Sequence, residues 1–257
     1  MNNSTTPDNV GVDIQIAGGG DAFGSGGQFQ TCFIVDDSHG RFAIDFGATS
    51  MVALGQLGID VAEIELVVLS HLHGDHFGGL PFLFLHRQYA ASSCRPLTLA
   101  GPPGLQGRIA ALMDCMYPGL WEGQWRFAID FVDIVPDQTT TVLGRKITAQ
   151  KARHFAGAHD CLSLRIETDD KLIAFSGDTG WRDELIELAR DSDLFICECN
   201  ERIDQPYDTH ISFETLSRNI DRLQTKRLLV SHLGPDMVGA IDSLPVEAAT
   251  FGLKLAL

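Results

Sequence analysis

The segment His71-Leu-His-Gly-Asp-His76 constrains this chain more than any other, because it sets His71, His73, Asp75 and His76 directly after the apolar run 63–69. In extended chain, residues two apart project to the same side, so His71 and His73 can bind one ion. Asp75 and His76, where the chain turns into a helix, face a second. Nitrogen and oxygen donors suit Zn²⁺, with Mn²⁺ or Fe as alternatives. The bland alternative is four polar residues solvating a loop; the density of donors at a strand end speaks against it.

The rest of the chain repeats this strand, loop, helix grammar. Strands are predicted at 12–16, 31–35, 41–45, 63–69, 147–152, 161–167, 171–176, 194–197 and 227–230. Helices are predicted at 49–57, from Pro81, at 183–190 and at 213–223. The segment 245–257 reads equally as helix or strand. Two β-then-α halves predict an α/β fold with two sheets packed together and helices on each outer side. With 257 residues and no Pro, Gly or Ser-rich linker at the midpoint, one domain of two similar halves is expected over 1–257. The run Gly18-Gly-Gly-Asp-Ala-Phe-Gly-Ser-Gly-Gly27 lacks the Lys-Ser/Thr ending and following helix of a phosphate loop, so it reads as a flexible loop near the site.

Charge narrows the partners. Lys plus Arg (19) against Asp plus Glu (34) leaves −15, a field that repels a polyphosphate backbone, so a nucleic acid polymer is not the expected partner. Residues 1–9 are polar with no Lys or Arg ahead of an apolar stretch, unlike a secretory signal, and no apolar run approaches the ~18 residues that span a bilayer. Six cysteines without a Cys-x-x-Cys pair read as reduced thiols, and a cytoplasmic protein without membrane association is expected. Cys197 and Cys199 flank Glu198 in what reads as a core strand.

The stretch Leu69-Ser-His-Leu-His-Gly-Asp-His-Phe-Gly-Gly-Leu-Pro81 resembles the signature of the metallo-β-lactamase-fold hydrolases, closest to the branch of ribonuclease Z and related phosphodiesterases. Further matching positions follow in chain order: the glycine-rich opening, Ala43-Ile-Asp-Phe-Gly47, a His near 154, Phe175-Ser-Gly-Asp-Thr-Gly180, His210-Ile-Ser212 and Val230-Ser-His-Leu233. The resemblance implies a four-layer αββα sandwich and a homodimer. It assigns His71, His73 and His154 to a first metal, Asp75, His76 and His232 to a second, and Asp178 to a bridge between them. Asp75 and His210 are its catalytic residues, with His210 a non-ligand that gives a proton to a leaving alkoxide.

The residues themselves agree in part. Asp178 sits in a Gly-flanked turn after a strand, where a carboxylate can bridge two cations or serve as an ordinary cap. His232 ends its strand as His71 follows its own. Arg153-His-Phe-Ala-Gly-Ala-His-Asp160 offers both His154 and His159; His154 directly follows a strand, so it is preferred, with His159 the alternative. Asp45 reads either as a turn residue or as an acceptor that fixes the tautomer of a ligating His. His210 reads also as a His preceding a helix beside the cap-like Ser212. His39 and His86 are without a role.

Two divalent ions would deprotonate a bridging water and stabilise a charged transition state, which implies hydrolysis by a metal-bridging hydroxide. Four metal charges less Asp75, Asp178 and hydroxide leave a formal +1, so a small anion is acceptable in an acidic molecule. Asp178 stands where common zinc β-lactamases carry Cys, and the Gly-His-Thr-x-Gly form typical of glyoxalase II is missing after His154. Only residues 168–177 separate Glu167 from Asp178, one hairpin, where true ribonuclease Z carries a tRNA-gripping arm. The expected substrate is a small phosphodiester, a cyclic nucleotide among them. The alternatives are hydrolysis of a lactone, thioester or carboxylic ester, and a non-catalytic metal- or partner-binding protein.

Overall fold

The first half supplies strands β1 (Asp13–Gly18), β2 (Cys32–Asp37), β3 (Gly40–Ile44) and β4 (Ile64–Val68), where strands were expected, and also β5 (Leu97–Gly101) and β6 (Ile129–Asp133), which were not. The second half supplies β7 (Thr139–Val142), β8 (Arg145–Lys151), β9 (Leu162–Thr168), β10 (Lys171–Phe175), β11 (Leu194–Glu198), β12 (Leu228–Ser231) and β13 (Glu247–Ala248). The last strand, β14 (Lys254–Ala256), returns to pair with β1. Two seven-stranded sheets result, ordered β14-β1-β2-β3-β4-β5-β6 and β13-β12-β11-β10-β9-β8-β7. The computed structural model describes residues 11–257, so the polar start 1–9 lies outside the described residues.

Alternation also decides which layer each side chain enters. In β2, Phe33 and Val35 join the core between the sheets, while Cys32 and Ile34 face the outer helices. In β11, Leu194 and Ile196 point inward and Phe195 and Cys197 outward. Phe33 meets Phe175 of the other sheet edge to face, ring centroids 5.7 Å apart. Helices α1 (Ser50–Leu57), α2 (Gly74–Phe77), α3 (Leu80–Leu85) and α4 (Leu105–Met116) belong to the first half, and α1, α3 and α4 cover the first sheet through Leu54, Phe84 and Ile109. Helices α5 (Glu184–Ala189), α6 (Phe213–Asn219) and α7 (Pro235–Val238) cover the second through Leu188, Leu216 and Met237. This is the four-layer αββα arrangement. Among the described residues, no helix is long and apolar enough to cross a membrane.

The helix expected from Pro81 starts one residue earlier, with Pro81 in its first turn, and the single turn α2 precedes it. The segment 245–257, undecided in sequence, forms strands β13 and β14.

Strand direction positions the site. β3 to β6 are parallel, as are β10 to β13, and β8 shares the direction of β10 because both run antiparallel to β9. The carboxyl ends of β3, β4, β8, β10, β11 and β12 therefore reach one edge of the sandwich. At the opposite edge the sheets are joined by Arg145, buried, whose Nε and Nη2 donate to Asp37 at 2.7 and 2.6 Å. Thr168 donates to the same carboxylate at 2.8 Å, and the guanidinium lies 4.5 Å from the centre of the Phe42 ring.

Candidate metal centre

Three imidazole nitrogens converge at the ends of β4 and β8. His71 Nε2 lies 3.1 Å from His73 Nδ1, which lies 3.2 Å from His154 Nε2. The far nitrogen of His154 donates to the Thr209 carbonyl at 3.0 Å, leaving Nε2 a bare lone pair. His71 Nδ1 is 3.1 Å from Ser70 Oγ, which itself donates to Asp45 at 2.8 Å, so the Nε2 of His71 is bare in the same way. His73 has one proton at most to share between two lone pairs; a single cation would satisfy all three nitrogens. His159 stands outside this group, its Nδ1 donating to the Pro103 carbonyl at 3.2 Å.

Asp75, His76, Asp178 and His232 form a second donor set. His76 is wholly buried, and its Nδ1 meets Asp45 Oδ2 at 2.7 Å. Its Nε2 lies 3.2 Å from Asp75 and 3.3 Å from Asp178, yet has no aligned hydrogen bond. A buried nitrogen so placed between two carboxylates fits a shared cation better than a hydrogen bond. His232 Nε2 is 3.2 Å from both Asp75 and Asp178. Asp178 also approaches the first set, 3.8 Å from His71 and from His154, so it stands between the two. Asp45 and His232 hold left-handed backbone, φ 55° and 54°, a conformation rare for residues with a Cβ and found at functional sites.

The electrostatics suit cations. Burial, with neighbouring imidazoles, pushes His71 well below the usual histidine range, which keeps it neutral and able to ligate. For His76, burial acts the same way but Asp178, Asp75 and Asp45 outweigh it and hold the imidazole well above that range. His232 is raised against its burial by Asp178 and by its hydrogen bond to Asp75. Protons on these two rings thus neutralise carboxylates in the bare chain, and divalent ions would displace them.

His210 stands beside both sets, its ring stacked on His232 at 5.3 Å and edge-on to His154 at 4.9 Å. Its Nδ1 lies 3.1 Å from Glu198 Oε1. Burial opposes its protonation, but the charge and hydrogen bond of Glu198 prevail and raise its pKa to about 9. Sequence reasoning missed Glu198, taking its segment as core strand. Cys197 and Cys199 do face the helices, and the alternation that sends them there turns Glu198 toward the site, where Thr179 and Ile211 N–H groups also donate to it. A lone carboxylate ending an apolar strand was the available signal. Asn200 was missed too; its amide donates to the His232 carbonyl at 3.1 Å and lies 3.2 Å from His232 Nδ1.

Donors gathered at the strand ends of an αββα sandwich define a metal-dependent hydrolase of the metallo-β-lactamase fold. The fold is shared with YhfI of Bacillus subtilis, which superposes with a TM-score of 0.75 at 19% identity, covering 96% of this chain and 100% of that one. The chain belongs to the family of the Anti-Pycsar protein Apyc1, whose profile matches residues 12–244. It is 33% identical over 200 residues to the protein Rv1339 of Mycobacterium tuberculosis, covering 75% of this chain and 69% of that protein. It is also 24% identical over 252 residues to a ribonuclease Z of Agathobacter rectalis, covering 79% and 81%.

Proposed function

We propose that this chain hydrolyses a small phosphodiester, a cyclic nucleotide foremost, with two divalent ions, preferentially Zn²⁺. His71, His73 and His154 would hold one ion, Asp75, His76 and His232 the other, with Asp178 between them. Such ions would supply Lewis acidity toward the phosphoryl oxygens and lower the pKa of a water.

The phosphodiester assignment is carried by His210: an imidazole fixed beside the two donor sets by a buried carboxylate that favours its protonated form. Hydrolysis of an alkyl or ribose phosphodiester expels a poor alkoxide leaving group, and a proton delivered to that oxygen lowers the barrier. Glu198 holds Nδ1 and stabilises the imidazolium, which leaves Nε2 to face the cavity. A cyclic nucleotide also fits the name of the matching family and a cavity of about 290 Å³, at the small end for ligand sites. The six unpaired cysteines support a cytoplasmic setting, and family resemblance supports a homodimer.

The test is a panel of cyclic nucleotides, a bis-aryl phosphate, lactones and thioesters assayed with Zn²⁺, Mn²⁺ and Fe²⁺. Turnover of the phosphodiesters and not of the acyl substrates is expected. Preference for a lactone or thioester would overturn the assignment, and no turnover with full metal content would favour a binding protein.

A further inference from the structure

The glycine-rich loop between β1 and β2, expected to be flexible, is anchored at its root. A Cβ on Gly18 would lie 1.9 Å from the Gln30 carbonyl oxygen, and one on Gly19 2.2 Å from that of Ala249, so close backbone contact excludes any side chain there. Leu233 N–H, next to His232, donates to Gly19 at 3.0 Å, and Gly20 N–H donates to Phe29 at 2.8 Å. Nearer the apex, buried Asp21 accepts from the N–H of Phe23 at 3.2 Å and of Ser25 at 2.9 Å, and from the Ser25 hydroxyl at 2.7 Å. Gln30 Nε2 donates to the Ala22 carbonyl at 2.9 Å. This fastened turn presents Phe23, which is 89% exposed.

Such a ring contributes almost nothing to the core, and the loop spends many contacts holding it in water. Phe23 lines the same cavity as His73, Asp75, Asp178 and His232, with Tyr207 also in its lining. The Tyr207 hydroxyl donates to Glu201 at 2.6 Å, so the rest of the rim is polar and acidic. A phosphoryl group would seek the cations and be repelled by the acidic side chains of that rim, whereas a flat uncharged ring finds the exposed face of Phe23, with the Tyr207 ring the other exposed aromatic of the lining. Stacking on an aromatic face tolerates any base, since every base has a π-face.

We propose that Phe23 is the platform on which the base of a nucleotide substrate stacks while its phosphodiester occupies the metal centre. The proposal rests on the phosphodiesterase assignment above and adds the base as a recognised part of the substrate. Phe23 then sets discrimination between nucleotides and smaller diesters, and acts mainly on KM.

Zinc-loaded protein is assayed on a purine and a pyrimidine 3′,5′-cyclic nucleotide and on the same ribose 3′,5′-cyclic phosphate with hydrogen in place of the base. Phe23→Ala should lower the ratio of kcat/KM for nucleotide over base-less diester roughly tenfold, through KM, and Phe23→Trp should restore it. Independently of turnover, Phe23→Trp fluorescence should be quenched, beyond any change in the wild type, by a non-hydrolysed phosphorothioate cyclic nucleotide and not by its base-less counterpart. An unchanged ratio, or no added quenching, overturns the role of Phe23 while leaving a phosphodiesterase that turns over both substrates. Failure of the wild type to cleave any of these cyclic phosphates overturns the assignment and the platform together.

Discussion

A histidine beside a cation site is expected to lose its proton, and what opposes that at His210 is Glu198, buried, bonded to two backbone N–H groups and in contact with the His210 ring. His210→Ala should retain its metal content and lower turnover of a ribose phosphodiester by roughly 10²–10⁴, with far less loss on an aryl diester whose leaving group needs no proton. Equal losses on both, read from parallel kinetics, would assign His210 to binding instead. The pH dependence follows from the same pair. With the pKa raised to about 9, the acid form is present below that value and lost above it, and cations bound nearby pull the limb lower. The rate on the ribose diester should therefore fall as pH rises through the limb, and Glu198→Gln should move the limb toward acid. Asp178→Ala removes the carboxylate shared by both donor sets; elemental analysis should find its metal content reduced from about two ions per chain to one or none. Asp45 illustrates what one residue reveals: its position at a strand end suggested a partner for a histidine, and the 2.7 Å contact is with His76, 31 residues away.

At the scale of elements, the strands with clean alternation were legible, since burial on one face imposes period two on the residues themselves. Strands β5, β6 and β7, and the helices α4 and α7, were not; β5 is buried on both faces and so carries no period-two alternation. β6 and β7 are the outer strands of their sheets, and their side chains are mostly half-buried or exposed, so no apolar pattern marks them before a neighbour pairs with them. The β9–β10 connection is a two-residue turn at Asp169 and Asp170, φ 47° and 59°, so the strands leading to Asp178 are joined without an arm. The join between the sheets was equally invisible: Asp37 and Arg145 are 108 residues apart. Arg145→Ala should destabilise the chain by about 3–5 kcal/mol in urea unfolding, because the buried Asp37 carboxylate is left without its cation. Asp37→Ala made in that variant should cost much less than in the wild type, and additive losses would show the pair to be uncoupled.

For the whole molecule, the −15 charge and the short β9–β10 turn oppose the gripping of a long polyanion. No cleavage of a tRNA precursor is expected at physiological salt, and efficient processing in a gel assay would refute this. Chemistry and architecture were written locally: four donors in six residues after an apolar strand, and two rounds of strand and helix, are properties of neighbouring residues. What depended on folding was convergence. His154 against His159, the turning of Glu198 into the site, Asp178 between two donor sets and Phe23 over the cavity are relations between separate segments of the chain. They exist only once parallel strands from both sheets end at one edge, because direction along a strand is local but the meeting of strand ends is set by how the sheets pack.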